Sequence, residues 1–312
     1  MIEAIIYSAI GLVALFIGGE LLVRGAVSIA QRLGVSSLFT GLVIVGAATS
    51  MPEMVASVEA ALLGSPELAW GNVVGSNLAI TLLMLGVAAL VMPIALSGTG
   101  KRDAVVALVA TCVLWAITAA QLASIYVGLV LLAGIAAYVY WRYNHPPHYE
   151  QEEDDAEGEG DASYGLPAAI TLFVIGVGIL VFGGNLLVTG AIDMARLFGV
   201  SETVIGLTVV AVGTSLPELA ASVAAAMRGK PGLALGNVLG SNIYNILLIG
   251  GVTMSVAPMP VPTSLLLYEL VLLAASTAAL LVILAKAKQI GRVLGAGLVM
   301  VFAVNTALAF GV

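Results

Sequence analysis

Apolar runs occupy most of the chain, and the breaks between them are short clusters of Gly, Pro, Ser and charged residues. Two such runs, IEAIIYSAIGLVALFIGG near the start and LLLYELVLLAASTAALLVILA near the end, have the roughly 20 residues needed to cross a ~30 Å hydrocarbon core. The pattern predicts an all-α membrane protein with about ten transmembrane helices, at 3–30, 35–62, 68–92, 104–120, 124–142, 166–194, 200–226, 233–256, 264–285 and 293–311. A hydrophilic stretch at 144–165 separates a first five-helix half, residues 1–143, from a second, residues 166–312. Within these apolar runs one polar phrase is written twice, TSMPE at 49–53 and TSLPE at 214–218.

The two phrases belong to a longer duplication. Residues 16–93 align with 181–258 without a gap, at a constant offset of 165, and about half the positions are identical. GGELLVRGA pairs with GGNLLVTGA, ATSMPEMVASV with GTSLPELAASV, and WGNVVGSNL with LGNVLGSNI. Five spans per half is an odd number, so the second copy must enter the membrane upside down. The basic residues test that topology. With the N-terminus outside, the cytoplasmic loops hold Arg24, Arg32, Lys101, Arg102, Arg142, Arg228, Lys230, Lys286, Lys288 and Arg292, and only Arg196 of the 11 Lys and Arg lies outside. That is the positive-inside pattern, with the linker cytoplasmic. Inverted repeats are the mark of secondary transporters, whose sites lie near the midplane where the halves meet.

Composition narrows the class further. With 61% hydrophobic and 9% charged residues and a mean hydropathy of +1.12, little of the chain can face water. The start, MIEAII, has no Lys or Arg and reads as a retained first span, not a cleaved signal. Much of the net charge of −7 comes from EQEEDDAEGEGD at 150–161, a solvated linker. The lone cysteine, Cys112, lies in an apolar run and is expected in the core. His145 and His148 fall in the linker and cannot serve an intramembrane site. Glu20, matched by Asn185 in the repeat, is either an interfacial helix-end residue or part of a vestibule.

An ionised carboxylate in hydrocarbon needs a polar cavity or a partner. Glu53 and Glu218 occupy equivalent positions, so a pseudo-twofold axis brings them together. Two carboxylates in one dry pocket cannot both stay charged unless a proton or a cation intervenes. Pro52 and Pro217 lack an N–H, which frees carbonyls around Thr49 and Thr214. Ser50 and Ser215 add hydroxyls, and Ser76 and Ser241 of the second repeated phrase can reach inward. Asn72 and Asn237 read as packing residues with amides hydrogen-bonded between spans. The donor set is hard and all-oxygen, which suits Ca²⁺ or Na⁺ and not zinc or copper.

At these phrases the chain resembles the cation/calcium exchanger superfamily, and within it the prokaryotic sodium/calcium exchangers. The resemblance covers almost the whole chain through the paired T-S-x-P-E and G-N-x-x-G-S-N motifs and the acidic linker. It implies that Glu53 and Glu218 bind Ca²⁺ with the carbonyls of Thr49 and Thr214. It implies flanking Na⁺ sites made by Ser50, Ser76, Ser215, Ser241 and the carbonyls of Gly46 and Ala211. It further implies several Na⁺ entering a prokaryotic cell for each Ca²⁺ leaving, with the first and sixth helices sliding across the rest. In the family a polar Asn or Asp follows each motif serine by four residues. Asn245 fills that role in the second half, but the first half has Ile80. Thr81 is adjacent, about 100° around an α-helix. The missing ligand leaves H⁺-coupled Ca²⁺ exchange as the alternative to Na⁺ coupling.

The expected partners are Ca²⁺, Na⁺ or H⁺, and the lipid bilayer, with no cofactor and no obligate protein partner. Eleven basic residues scattered singly over loops give no nucleic-acid surface. No H-E-x-x-H motif occurs and no histidine lies in a span, so the sequence offers no enzyme site.

Overall fold

The computed structural model describes residues 2–96, 100–146, 164–198 and 211–309. The chain is an all-helical bundle. Its helices are α1 (Ile2–Leu33), α2 (Ser37–Thr49), α3 (Met51–Leu62), α4 (Pro66–Val91), α5 (Lys101–Ala119), α6 (Ile125–Asn144), α7 (Leu166–Leu197), α8 (Leu216–Met227), α9 (Pro231–Val256), α10 (Glu269–Lys286) and α11 (Arg292–Ala309). Among the described residues, 7 helices are long and apolar enough to span a membrane, and up to 8 if α2 and α3, bent by 44° at their junction, form one span. Shorter apolar helices stand where the seventh and tenth spans are expected. Most of the first part of the expected seventh span, and most of the acidic linker, lie outside the described residues.

Two helices form the interior. In the spanning windows of α4 and α9, 78% and 89% of residues are buried, against 33% in α1 and 22% in α7. These inner helices carry the two G-N-x-x-G-S-N phrases. Each also contains a wider turn of π type, at Ala79–Met84 and Asn245–Ile249. A third such turn, Thr40–Val45, lies in α2. Single π turns inside α-helices concentrate at functional sites, because the extra residue re-aims the side chains that follow.

The outer pair α1 and α7 is joined by a seam of small residues that recurs every seven positions. Ala4, Gly11, Gly18 and Gly25 on α1 face Gly190, Gly183, Gly176 and Ala169 on α7. Contact positions rise along α1 as they fall along α7, so the two helices run antiparallel. They are the helices that precede the two copies of the T-S-x-P-E phrase. The approach is close enough that a Cβ at Gly18 would sit 2.8 Å from the Leu180 N, and one at Gly25 2.6 Å from the Phe173 N. Helices in lipid gain association from such contact, since the bilayer supplies no hydrophobic drive between them.

A two-stranded antiparallel ribbon, Ile94–Ala95 with Gln289–Ile290, ties the two halves together. A buried cluster closes the α5–α6 interface. The Tyr138 hydroxyl donates to Asp103 Oδ1 at 2.6 Å and Arg142 Nε donates to the same oxygen at 3.0 Å. Cys112 departs from expectation: it is exposed on α5. In a membrane bundle the outward face is as apolar as the core, so hydrophobic context alone does not mark the interior.

Candidate cation site

The site forms where two helices break. Pro52 lies in the first turn of α3 and Pro217 in the first turn of α8, where a missing N–H costs little. The residue before each helix leaves helical geometry, Ser50 at φ −80°, ψ 5° and Ser215 at φ −95°, ψ 11°. These breaks put Glu53 and Glu218 in the first turn of their helices. There the exposed N–H groups and the positive end of the helix dipole favour a negative side chain.

The two halves then clasp each other. The Ser215 hydroxyl donates to Glu53 Oε1 at 2.7 Å, and the Ser50 hydroxyl donates to Glu218 Oε1 at 3.2 Å. Both glutamates are 1% exposed, and Oε2 of each has no hydrogen-bond partner. One carboxylate oxygen is therefore held by the opposite half while the other is presented with nothing to bind. Ser76 and Ser241 are likewise buried with unpartnered hydroxyls, and Asn245 is fully buried with both amide atoms unpartnered. Buried polar atoms without partners are rare, so each of these groups has capacity left for a polar occupant.

A scaffold of amides holds the clasp. Asn72 Nδ2 donates to the Glu53 carbonyl at 3.1 Å and to the Ser57 hydroxyl at 2.8 Å. Its repeat partner Asn237 donates to the Glu218 carbonyl at 3.1 Å and to the Ser222 hydroxyl at 2.9 Å. Asn237 goes further: its Oδ1 accepts from the Thr49 hydroxyl at 3.3 Å, bridging the halves. Both amides thus brace the glutamate-bearing helices from α4 and α9. The sequence marks Asn72 and Asn237 as packing residues, but the serines that receive them, Ser57 and Ser222, were missed. The signal available was their identity at equivalent positions of the repeat.

The remaining expected residues take several environments. Thr49 is fully buried, its hydroxyl also donating to the Val45 carbonyl at 3.1 Å. Thr214 lines a cavity of about 120 Å³ with Pro52, Gly184, Asn185, Gly213 and Pro217. Gly46 backs onto the second half, where a Cβ would meet the Ser241 N at 3.1 Å. Ala211 begins the short helical turn Ala211–Gly213. Ile80 is fully buried within the apolar core. Thr81 is buried as well, its hydroxyl accepting from Asn242 Nδ2 at 2.8 Å. Glu20 is not at a helix end but within α1, paired with Arg24 on α1 and Arg228 just beyond α8. Among the described residues no three His, Cys, Asp or Glu side chains cluster. A cation here would have to take hydroxyl, amide and carbonyl oxygens besides the two carboxylates.

Known proteins match the chain along nearly its whole length. The profile of the family described as "Sodium/calcium exchanger protein" matches residues 3–144 and 168–311. The putative antiporter CaxA of Alkalimonas amylolytica is 37% identical over 97% of this chain and 97% of its own. The sodium/calcium exchanger MaX1 of Methanosarcina acetivorans is 32% identical over 94% of each. Among solved structures, the sodium-calcium exchanger NCX_Mj soaked with Na⁺ and Ca²⁺ superposes with a TM-score of 0.83 at 30% identity, covering 99% of this chain and 98% of that one. With its apolar spans, this chain is an integral membrane protein of the sodium/calcium exchanger family.

Proposed function

We propose that the chain is a secondary active transporter that exchanges Na⁺ for Ca²⁺ by alternating access. Two inverted halves, 1–143 and 166–312, share one central site, with the N-terminus outside and the 144–165 linker cytoplasmic. Ca²⁺ sits between Glu53 and Glu218, with the carbonyls of Thr49 and Thr214. Na⁺ uses Ser50, Ser76, Ser215, Ser241 and Asn245, with the carbonyls of Gly46 and Ala211. The observation that carries this reading is the crossed clasp, in which each buried carboxylate is held on one oxygen and unpartnered on the other. A divalent ion between the two Oε2 atoms would neutralise both charges at once, and hard cations take such oxygen sets. Na⁺ competes for the same carboxylates, so only a loaded site can cross, and that exclusion couples the two ions. The antiparallel packing of α1 on α7 supports the inverted arrangement.

The test is ⁴⁵Ca²⁺ uptake into proteoliposomes loaded with Na⁺. An outward Na⁺ gradient should stimulate uptake in the parent, and Glu53→Gln or Glu218→Gln should abolish it. Uptake indifferent to the Na⁺ gradient would exclude Na⁺ coupling.

One observation favours a second reading. Ile80 fills, buried and apolar, the position whose repeat partner is Asn245. The first half therefore contributes one polar ligand fewer, and two facing carboxylates with few neighbours can release Ca²⁺ by taking up protons. Uptake driven by a pH gradient in the absence of Na⁺ would establish H⁺ coupling in place of Na⁺ coupling.

A further inference from the structure

A second cavity, of about 720 Å³, lies between α1, the end of α4 and α8, and shares no residue with the cation site. Its floor runs along α8 from Leu216 to Arg228, and its sides include Phe16, Val87 and Val91. Twelve residues of helix are about 18 Å long, which is close to the depth of one leaflet in a ~30 Å hydrocarbon core. Apart from Glu20 and Arg228 at one end, its lining is apolar side chains, all hydrocarbon except the Met227 thioether. That composition does not suit a water-filled ion path. It suits an acyl chain.

The polar end carries a charge excess. Arg228 donates from Nε to Glu20 Oε2 at 2.7 Å and from Nη2 to Oε1, while Arg24 Nε donates to Oε1 at 2.9 Å. Two guanidiniums share one carboxylate, leaving one net positive charge. The Arg24 side chain, 43% exposed, is the most open of the three. The repeat supplies an internal comparison. At the offset of 165, Glu20, Arg24 and Arg228 correspond to Asn185, Thr189 and Leu63, and Ala224 of the groove corresponds to Glu59. The mirrored position has no cation and gains a carboxylate, so the basic end exists in only one of the two halves.

We propose that this groove is a binding site for an anionic phospholipid, with one acyl chain along α8 and the phosphate at Arg24 and Arg228. A soluble anion would use the arginines and leave the hydrocarbon groove unfilled, whereas a lipid uses both. The site sits beside α1, so a bound lipid fills the gap between the α1–α7 pair and the rest of the bundle. The proposal rests on the membrane placement of the chain and not on which ions it exchanges.

The full-length protein in mild detergent can be titrated with phosphatidylglycerol or phosphatidylcholine and read by native mass spectrometry, with inorganic phosphate as a competitor. Phosphatidylglycerol should bind one per chain and more tightly than phosphatidylcholine. Arg24→Gln and Arg228→Gln should each weaken phosphatidylglycerol about fivefold, the contribution of one basic residue to anionic-lipid binding. Val91→Trp, which fills the groove, should weaken both lipids, and Arg24→Lys should keep the parent affinity because it keeps the charge. Equal affinities for the two lipids would overturn the headgroup assignment. Displacement by equimolar inorganic phosphate would overturn the lipid in favour of a free anion. Unchanged binding in Val91→Trp would overturn the groove, and an Arg24→Lys loss equal to that of Arg24→Gln would reduce the arginine to a structural role.

Discussion

The two bracing asparagines provide a test of the site's architecture that leaves its cation ligands untouched. Asn72 makes two hydrogen bonds, to the Glu53 carbonyl and to Ser57, and Asn237 makes the matching two plus a third to Thr49 of the other half. Replacement by Leu keeps the branching at Cγ and removes the amide. At about 1 kcal/mol for each buried hydrogen bond, Asn72→Leu should destabilise by about 2 kcal/mol and Asn237→Leu by about 3 kcal/mol. The difference, about 1 kcal/mol or roughly fivefold in the folded-to-unfolded ratio, combines the Thr49 bond with the deeper burial of the Asn237 bonds. Reversible denaturant unfolding of the detergent-purified protein measures both values. A double-mutant cycle of Asn237→Leu with Thr49→Val then isolates the inter-half bond, which should appear as a coupling of about 1 kcal/mol. A zero coupling, or equal losses for the two asparagines, would refute the claim that Asn237 bridges the halves. Ca²⁺ uptake should fall in both variants, because the pinned carbonyl belongs to the glutamate itself.

Three further outcomes are expected. Gly18→Ala drives a methyl to 2.8 Å from the Leu180 N, so it should destabilise by about 1–3 kcal/mol and slow transport. Gly178→Ala on the same pair of helices meets nothing within 4 Å and should be neutral or stabilising, by up to about 1 kcal/mol; thermal scans compare the two. Asp103→Asn strips the charge partner from buried Arg142 and should lose about 3 kcal/mol, whereas Tyr138→Phe should lose about 1 kcal/mol, both read by the same unfolding assay. Ile80→Asn should steepen the Na⁺ dependence of Ca²⁺ uptake if Na⁺ is the coupling ion, and an unchanged Na⁺ dependence would show that position 80 is not a ligand position.

The architecture was legible because the chain states it twice. The constant offset of 165 gave the order of the repeated segments, and apart from the expected seventh span, whose first part lies outside the described residues, the helix boundaries fall within a few residues of those read from hydropathy. The crossed contacts of Glu53 with Ser215 and of Glu218 with Ser50 were legible in outline from the duplicated Pro-Glu phrase, since a pseudo-twofold axis brings equivalent positions together. What escaped the sequence was long-range partnership. The pairing of Glu20 with Arg228 spans 208 positions, and nothing local announces it. The seven-residue spacing of Ala4, Gly11, Gly18 and Gly25 is visible in the sequence. That its counterpart lies on α7 in antiparallel register is not, because small residues mark a close contact without naming the partner. Cys112 fails for a different reason: in lipid, apolar surroundings fit the inside and the outside of the bundle equally well.

The difference between the halves is sharper in the structure than in the sequence. Ile80–Thr81 stands opposite Asn245–Ile246 in the repeat, so each half keeps one polar side chain in this segment, displaced by one residue. Both segments are π turns, whose wider winding narrows the 100° step between neighbours only modestly, so Thr81 still points away from the Ile80 direction. Thr81 is spent on structure, accepting the Asn242 amide across the inter-half boundary at 2.8 Å. Asn245, one step earlier in its own turn, keeps both amide atoms unpartnered. The polar capacity of one half is thus used to hold the halves together, and that of the other is left at the centre. As a cation site of the proposed kind, this centre would be one-sided although its glutamates are paired, and an ion that needs ligands from both halves would bind there at a disadvantage. Ca²⁺ can draw its charge compensation from the two carboxylates alone, while a singly charged competitor depends more on neutral oxygens. In the proposed exchange, the single-residue shift between Thr81 and Asn245 would bear on the coupling ion far more than on the recognition of Ca²⁺.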